Sequence, residues 1–267
     1  MLKIFSLIII LTNSIFVFSQ DKNTVLYSNL ICKYHVKFLK DSTNKSSERE
    51  EIMTLFIGDN VSLFKSDQKA KSDSLKEAIV KNSMNNITSE NLNIDFSKVP
   101  RVNMSQEVLL RDGKLKIYDK VFKNLFSFEP ANKVEWNLLN ETKKINGYNC
   151  KKAIGKYGMR ELTAWYTLDI PISEGPYTFK GLPGLVIYLE DQKQTYSFEL
   201  FYLKKEKREI IPLKNDASTT YEKFSNARQN AKDNAVSNVG GLLHREMTKQ
   251  EMDLVRNNAG KSNNYLD

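Results

Sequence analysis

The chain has 267 residues, 40 Lys and Arg against 32 Asp and Glu, a net charge of +8, and two cysteines. With 40% hydrophobic and 27% charged residues, collagen-like, low-complexity and wholly disordered classes are excluded. Two cysteines are too few for a disulfide-stapled miniprotein, and the length is enough for one large β-rich domain or two smaller ones.

Residues 1–19 have the three parts of an export signal. Lys3 supplies the positive start, Ile4 to Phe18 the apolar stretch, and Ser19 a small residue before a cut ahead of Gln20. The stretch is interrupted by Thr12, Asn13 and Ser14 and is shorter than the roughly 20 residues that span a bilayer. An uncleaved anchor is the alternative. The first cysteine is Cys32, so processing as a lipoprotein is not expected. The expectation is an exported protein, periplasmic or secreted, without a membrane span in its mature form. Export makes nucleic acid an unexpected partner. The basic residues are dispersed among acids, as in Lys204 to Glu209, and read as a solvated surface.

From Cys32 to Phe38 apolar side chains recur at every second position, the period of a half-buried strand. Ser42 to Glu51 is a polar loop, and Gly58-Asp59-Asn60 joins strands over 53–57 and 61–64. Residues Ser74 to Met84 carry Leu75, Ala78 and Ile79 at helical spacing. Asp112-Gly113 and Asn146-Gly147 each sit between alternating runs, as two-residue hairpin turns that need positive φ. Tyr157-Gly158 joins two further strands, the second running from Leu162 to Ile170. Val134 to Leu138, Leu185 to Leu189 and Tyr196 to Tyr202 repeat the alternation. Helices follow: one over 216–239 and one opened by the capping box Thr248 to Glu251 and ended by Gly260. Residues from about 258 read as a loose polar tail. Hairpins make antiparallel neighbours, so the expected fold is α+β, mainly β: a large curved antiparallel meander of roughly eight to ten strands, with two or three subsidiary helices. A half-barrel is one form open to it by analogy of fold. Residues 20–267 form a single domain in this reading.

Between Ile170 and Leu185 the chain runs through Pro171, Pro176 and Pro183, with Gly175, Gly181 and Gly184. Leu182-Pro183-Gly184-Leu185 has the pattern of a type II turn, and Tyr177, Phe179 and Leu182 are placed to tuck beneath a defined loop. The run Gly181-Leu182-Pro183-Gly184-Leu185-Val186 closely resembles the motif that names the GLPGLI family of exported Bacteroidota proteins. Ile145 to Ala153, Ala164-Trp165-Tyr166 and Ile170 to Tyr177 follow that family's order, so residues 134–203 carry the resemblance. Val186 replaces the family's Ile, a change of similar shape. The resemblance implies a Bacteroidota cell envelope and brings no activity or ligand. Asp41-Ser42-Thr43 and Asp73-Ser74-Leu75 also resemble a short O-glycosylation sequon used in that group.

No Gly-x-Ser-x-Gly, His-Glu-x-x-His, Cys-x-x-Cys, P-loop or EF-hand pattern occurs. His35 and His244 have no ligand-spaced neighbour and read as structural or surface residues, so no cofactor or metal is expected. Cys32 and Cys150 are read in three ways: a disulfide between them, two separate buried thiols, or a reactive Cys150. Trp136 and Trp165 read as core before they read as the lining of a cavity. The leading expectation is a non-enzymatic envelope protein that binds an apolar ligand or a protein partner. The alternatives are an envelope enzyme that uses Cys150 with His244 as base, and a structural or secretion-machinery partner that makes contact through residues 171–185.

Overall fold

The computed structural model describes residues 25–85, 96–122, 124–214, 216–243 and 245–266. The signal-like segment 1–19 and His244 lie outside them. The described strands form a single twelve-stranded sheet. β1 (Leu26–Leu39), β2 (Glu48–Ile57), β3 (Val61–Ser66), β4 (Glu107–Arg111), β5 (Lys114–Val121) and β6 (Asn124–Phe128) form one meander. β7 (Glu135–Ile145), β8 (Tyr148–Tyr157), β9 (Arg160–Thr167), β10 (Leu185–Asp191) and β11 (Tyr196–Ile210) form a second. The two meet where β1 pairs antiparallel with β11, from Leu26 opposite Ile210 to Phe38 opposite Tyr196. A two-residue β12 (Ala217–Ser218) pairs parallel with β6.

This order forces curvature. β6 and β7 stand ten strand spacings apart, about 48 Å in a flat sheet. Yet residues 129–134 join them, a link that reaches no further than about 24 Å. The sheet therefore curls until its two edges approach, without closing. Local chemistry sets the hairpins. Asp112 and Asn146 both take φ of 50°, and the glycines after them take 77° and 88°, the two left-handed residues that this kind of tight turn requires.

The inner face of the curl carries the main core, which runs from Tyr34, Val36 and Met53 through Phe64 and Phe128 to Tyr157, Ala164 and Phe198. A smaller cluster of Ile31, Phe56, Leu63, Leu109, Tyr118 and Ile210 covers the opposite face of the first meander. Alternation explains both, since Leu55 and Ile57 point one way and Phe56 the other.

The helices are α1 (Asp67–Asn85), α2 (Tyr221–Asp233), α3 (Ala235–Leu243) and α4 (Lys249–Gly260). α1 begins seven residues before the expected helix because Ser66 Oγ accepts from the amides of Gln68 and Lys69. The helix expected over 216–239 is interrupted at Asn234, which ends α2. The capping box of Thr248 and Glu251 forms as expected. α2 is capped by Thr220 and lays Phe224 on Phe128, with ring centroids 4.4 Å apart. Together with β12 it covers the β6 edge of the sheet. The β7 edge has only β8 beside it among the described residues.

Two further expectations change here. The strand expected to reach Ile170 stops at Thr167, because Leu185 pairs with Thr167 and the loop leaves at that point. The tail is polar, but it is docked rather than loose: Asn264 is 7% and Leu266 2% exposed.

Candidate functional site

Residues 171–184 fold back into the concave face of the sheet. Tyr177 and Phe179 are completely buried and Leu182 is 1% exposed. Phe179 meets Tyr157 edge-on at 5.3 Å and Phe198 at 5.7 Å, and Tyr177 lies 5.6 Å from it. The turns close on themselves: Phe179 N–H donates to Pro176 O, Gly181 N–H to Ser173 O, and Val186 N–H to Glu174 O. The surrounding strands hold the loop as well. Tyr34 Oη donates to Val186 O at 2.7 Å, and Trp136 Nε1 donates to Lys180 O at 2.9 Å. Removing that indole donor in Trp136→Phe is expected to cost about 1 kcal/mol in a urea unfolding titration.

The motif glycines have separate physical reasons. Gly181 takes φ of 96°, which L side chains rarely adopt. Gly184 does not take positive φ, so the expected type II turn is not formed. Its own reason is close approach, since a Cβ there would lie 1.9 Å from Thr167 O. Gly175 is alike, with Phe179 O at 2.2 Å from such a Cβ. Pro176, Gly184 and Leu185 are buried, whereas Gly181 and Pro183 face solvent.

One charged pair is buried with the loop. Lys180 Nζ donates to Glu174, to Ser62 Oγ at 3.1 Å and to Gly175 O at 3.3 Å. The two side chains are 8% and 10% exposed. Cys32 is close enough to feel them: burial pushes its thiol up to about 12, with Glu174 adding to the rise and Lys180 opposing it. Tyr34 is also pushed upward, first by burial and then by Cys32 and Glu174.

The cysteines are two separate, buried free thiols. The disulfide considered from the sequence is not formed, because β11, β10 and β9 stand between β1 and β8. Four strand spacings amount to about 19 Å across a flat sheet, against a Cα limit of about 7 Å for a bridge. Burial pushes the Cys150 thiol up to about 11, with a backbone hydrogen bond from Ile145 opposing and Asp169 adding. Neither environment favours a thiolate at neutral pH. Both thiols are therefore expected to resist alkylation in the native protein at pH 8 and to react together in urea. Stability follows with a definite sign. Unfolded thiols ionise near 9.0 while the folded ones hold their protons, so stability falls as pH rises from 9 towards 11 and 12. Urea midpoints at pH 8, 9.5 and 10.5 check this.

Other expected site residues lie apart from the loop. His35 sits on the outer face with Nε2 3.0 Å from Glu50. Trp165 is half-buried on that face with Lys143 and Lys152 each 5.9 Å from its ring. Ser42 and Ser74 are exposed. Among the described residues no three His, Cys, Asp or Glu side chains gather as a metal would need. An open cleft of about 670 Å³ lies on the opposite face between Leu109, Tyr118, Ile210 and Leu213. Another of about 370 Å³ covers Cys150 between Lys143, Lys144 and Lys151. Neither is lined by residues 171–185.

Residues 155–188, the end of β8 through β9, the loop and most of β10, match a family model described as a protein of unknown function, Porph_ging. Two solved structures of PNGF-II are similar. The one in the C2 space group has a TM-score of 0.45 at 17% identity and the one in P21 has 0.44 at 16%. In each comparison 74% of this chain is covered but only 32% of the PNGF-II chain, so this chain spans about a third of that protein. No curated protein matches.

The sequence did not point to one further cluster. Arg160 Nη1 donates to Asp191 at 3.0 Å and to Thr195 Oγ1 at 2.9 Å, while Nη2 reaches Asn264 and Tyr265. Arg160 and Asn264 are 104 positions apart, and no local pattern marks either residue.

Proposed function

We propose that this is an exported, non-enzymatic cell-envelope protein that acts by binding a protein partner on its outer surface. The carrying observation is that the chain's own loop, residues 171–184, occupies the concave face where a carrier would hold its ligand. A sheet filled from within has its outer faces and its edge left for recognition. β7 is the favoured contact, an eleven-residue edge strand with one ladder neighbour and Leu138 51% exposed. Its Glu135, Glu141, Lys143 and Lys144 and the irregularity between Leu138 and Thr142 guard it against indiscriminate pairing. The apolar stretch at residues 4–18 and the resemblance of residues 134–203 to the exported GLPGLI proteins support the envelope location. Among the described residues no helix is long and apolar enough to cross a membrane. Both thiols are buried and protonated, which favours binding over a thiol-based reaction.

A photo-crosslinking residue at position 138, in cells that make the protein, tests this. A discrete crosslinked envelope protein is expected, with no such product from position 254 on α4. Absence of a product at 138, together with a stoichiometric apolar molecule extracted from the natively purified protein, would establish the carrier reading instead.

A further inference from the structure

The C-terminal segment is held by contacts that read its sequence. The side-chain amide of Asn264 is engaged at both ends: Arg160 donates to its Oδ1 at 2.6 Å, and its Nδ2 donates to Leu39 O at 2.7 Å. Tyr196 Oη donates to its backbone carbonyl at 2.8 Å. The amide of Asn263 does the same against Asp41 and the Ser42 N–H, each at 2.9 Å. The ring of Tyr265 lies 3.8 Å from the Arg228 guanidinium and 4.7 Å from the Lys232 ammonium. Leu266 then enters the main core. This is a groove with a hydrogen-bonded slot, a cationic shelf and an apolar seat, filled in cis.

We propose that this groove is a peptide-recognition site that also takes the Asn263–Leu266 segment of a second copy of this chain, so that two molecules exchange this segment. Three observations carry the inference. The groove selects asparagine, tyrosine and leucine in that order, and a second copy presents them with the same spacing. The segment is carried on α3 and α4, which pack on one another, and α4 has no buried residue. That arm swings away without opening the sheet. The contacts are largely polar, so most of them are exchanged for water on leaving, and Leu266 is the buried apolar side chain that must come out of the core.

Exchange preserves every contact, so concentration and the hinge decide it. In cis the tail is at an effective concentration in the millimolar range, which keeps dilute wild-type protein monomeric. Removing the cis competitor reveals the trans contact. One variant, Arg160→Ala, keeps its tail and loses the groove; the other, a chain ending at Gly260, keeps the groove and loses the tail. Each alone should sediment as a monomer with a lowered Tm. Mixed at about 20 μM, well below the cis concentration, they should form a one-to-one heterodimer whose Tm returns towards the wild-type value. A mixture that stays as two monomers with unchanged Tm overturns the proposal. If the shortened chain does not fold, Arg160→Ala mixed with a full-length chain carrying both Asn264→Ala and Leu266→Ala poses the same question, since one chain lacks a competent groove and the other a competent tail. Heterodimer formation again supports exchange, and its absence refutes it.

Discussion

Replacing Gly184 by alanine is expected to destabilise the protein by about 3 kcal/mol or more, the upper range for overpacking a site that cannot relax. The added Cβ would meet the carbonyl oxygen of Thr167 at 1.9 Å and its carbon at 2.7 Å. Both belong to the backbone at the end of β9, where Thr167 pairs with Leu185 of β10 and with Cys150 of β8. Neither strand can withdraw without breaking its ladder. Gly181→Ala provides the internal contrast. It has no atom within 4 Å of the new Cβ, and its positive φ alone costs about 1–2 kcal/mol. Urea unfolding of the two variants should therefore rank Gly184→Ala well below Gly181→Ala. Equal losses would mean that the backbone at Thr167 yields to the added Cβ and that close approach is not what requires glycine at position 184.

The second large effect is expected at the ion pair buried with the loop. Lys180→Met leaves Glu174 buried beside Cys32 and Tyr34 without its cation, and Glu174→Leu leaves Lys180 with Ser62 and a carbonyl alone. Each single change is expected to cost about 3–5 kcal/mol, because an uncompensated buried charge remains. The double variant is expected to be more stable than the worse single one, since two apolar side chains replace two charges in a closed site. A double-mutant cycle in urea measures the coupling directly. Strict additivity would show that the two groups do not act as a pair.

Much of the architecture was legible because sheet pairing obeys short-range rules. The alternation from Cys32 to Phe38 is β1, and Asn146-Gly147 and Asp112-Gly113 are turns with both residues at positive φ. The fold is mainly β with a curved sheet, as expected, but the described residues form twelve strands where eight to ten were expected and four helices where two or three were. Other features rest on partners far away in the chain. Nothing local to Leu26 or Ile210 specifies that β1 and β11 join the two meanders. Within that pairing the alternation misleads. A register shift between Lys33 and Tyr34 turns the ladder, and Tyr202, in line with Phe198 and Leu200 by sequence, is 40% exposed.

The loop was located by its prolines and glycines, and its aromatics were expected to lie beneath it. The depth at which they lie was not legible, because Phe179 is buried by Tyr157 and Phe198 from two other strands. A contact edge was one expectation for residues 171–185. Most of that segment faces inward, with Pro171, Ser173, Gly181 and Pro183 left at the surface. The docked tail was hidden for a similar reason. Composition marks Ser262 to Asn264 as polar, but polar side chains with complete hydrogen bonding are as well held as apolar ones. Only the fold brings Arg160 to them.

Residues 174–186 are an integral filling of the curved sheet and not a movable lid over a ligand site. Hydrogen exchange separates the two cases, because the amides of Phe179, Gly181, Leu185 and Val186 are all donors within the loop. These amides are predicted to exchange only through global unfolding, with protection equal to that of β1 and β11 at every denaturant concentration. Exchange of the loop amides through a local opening, while β1 and β11 stay fully protected, would show the loop to be a lid.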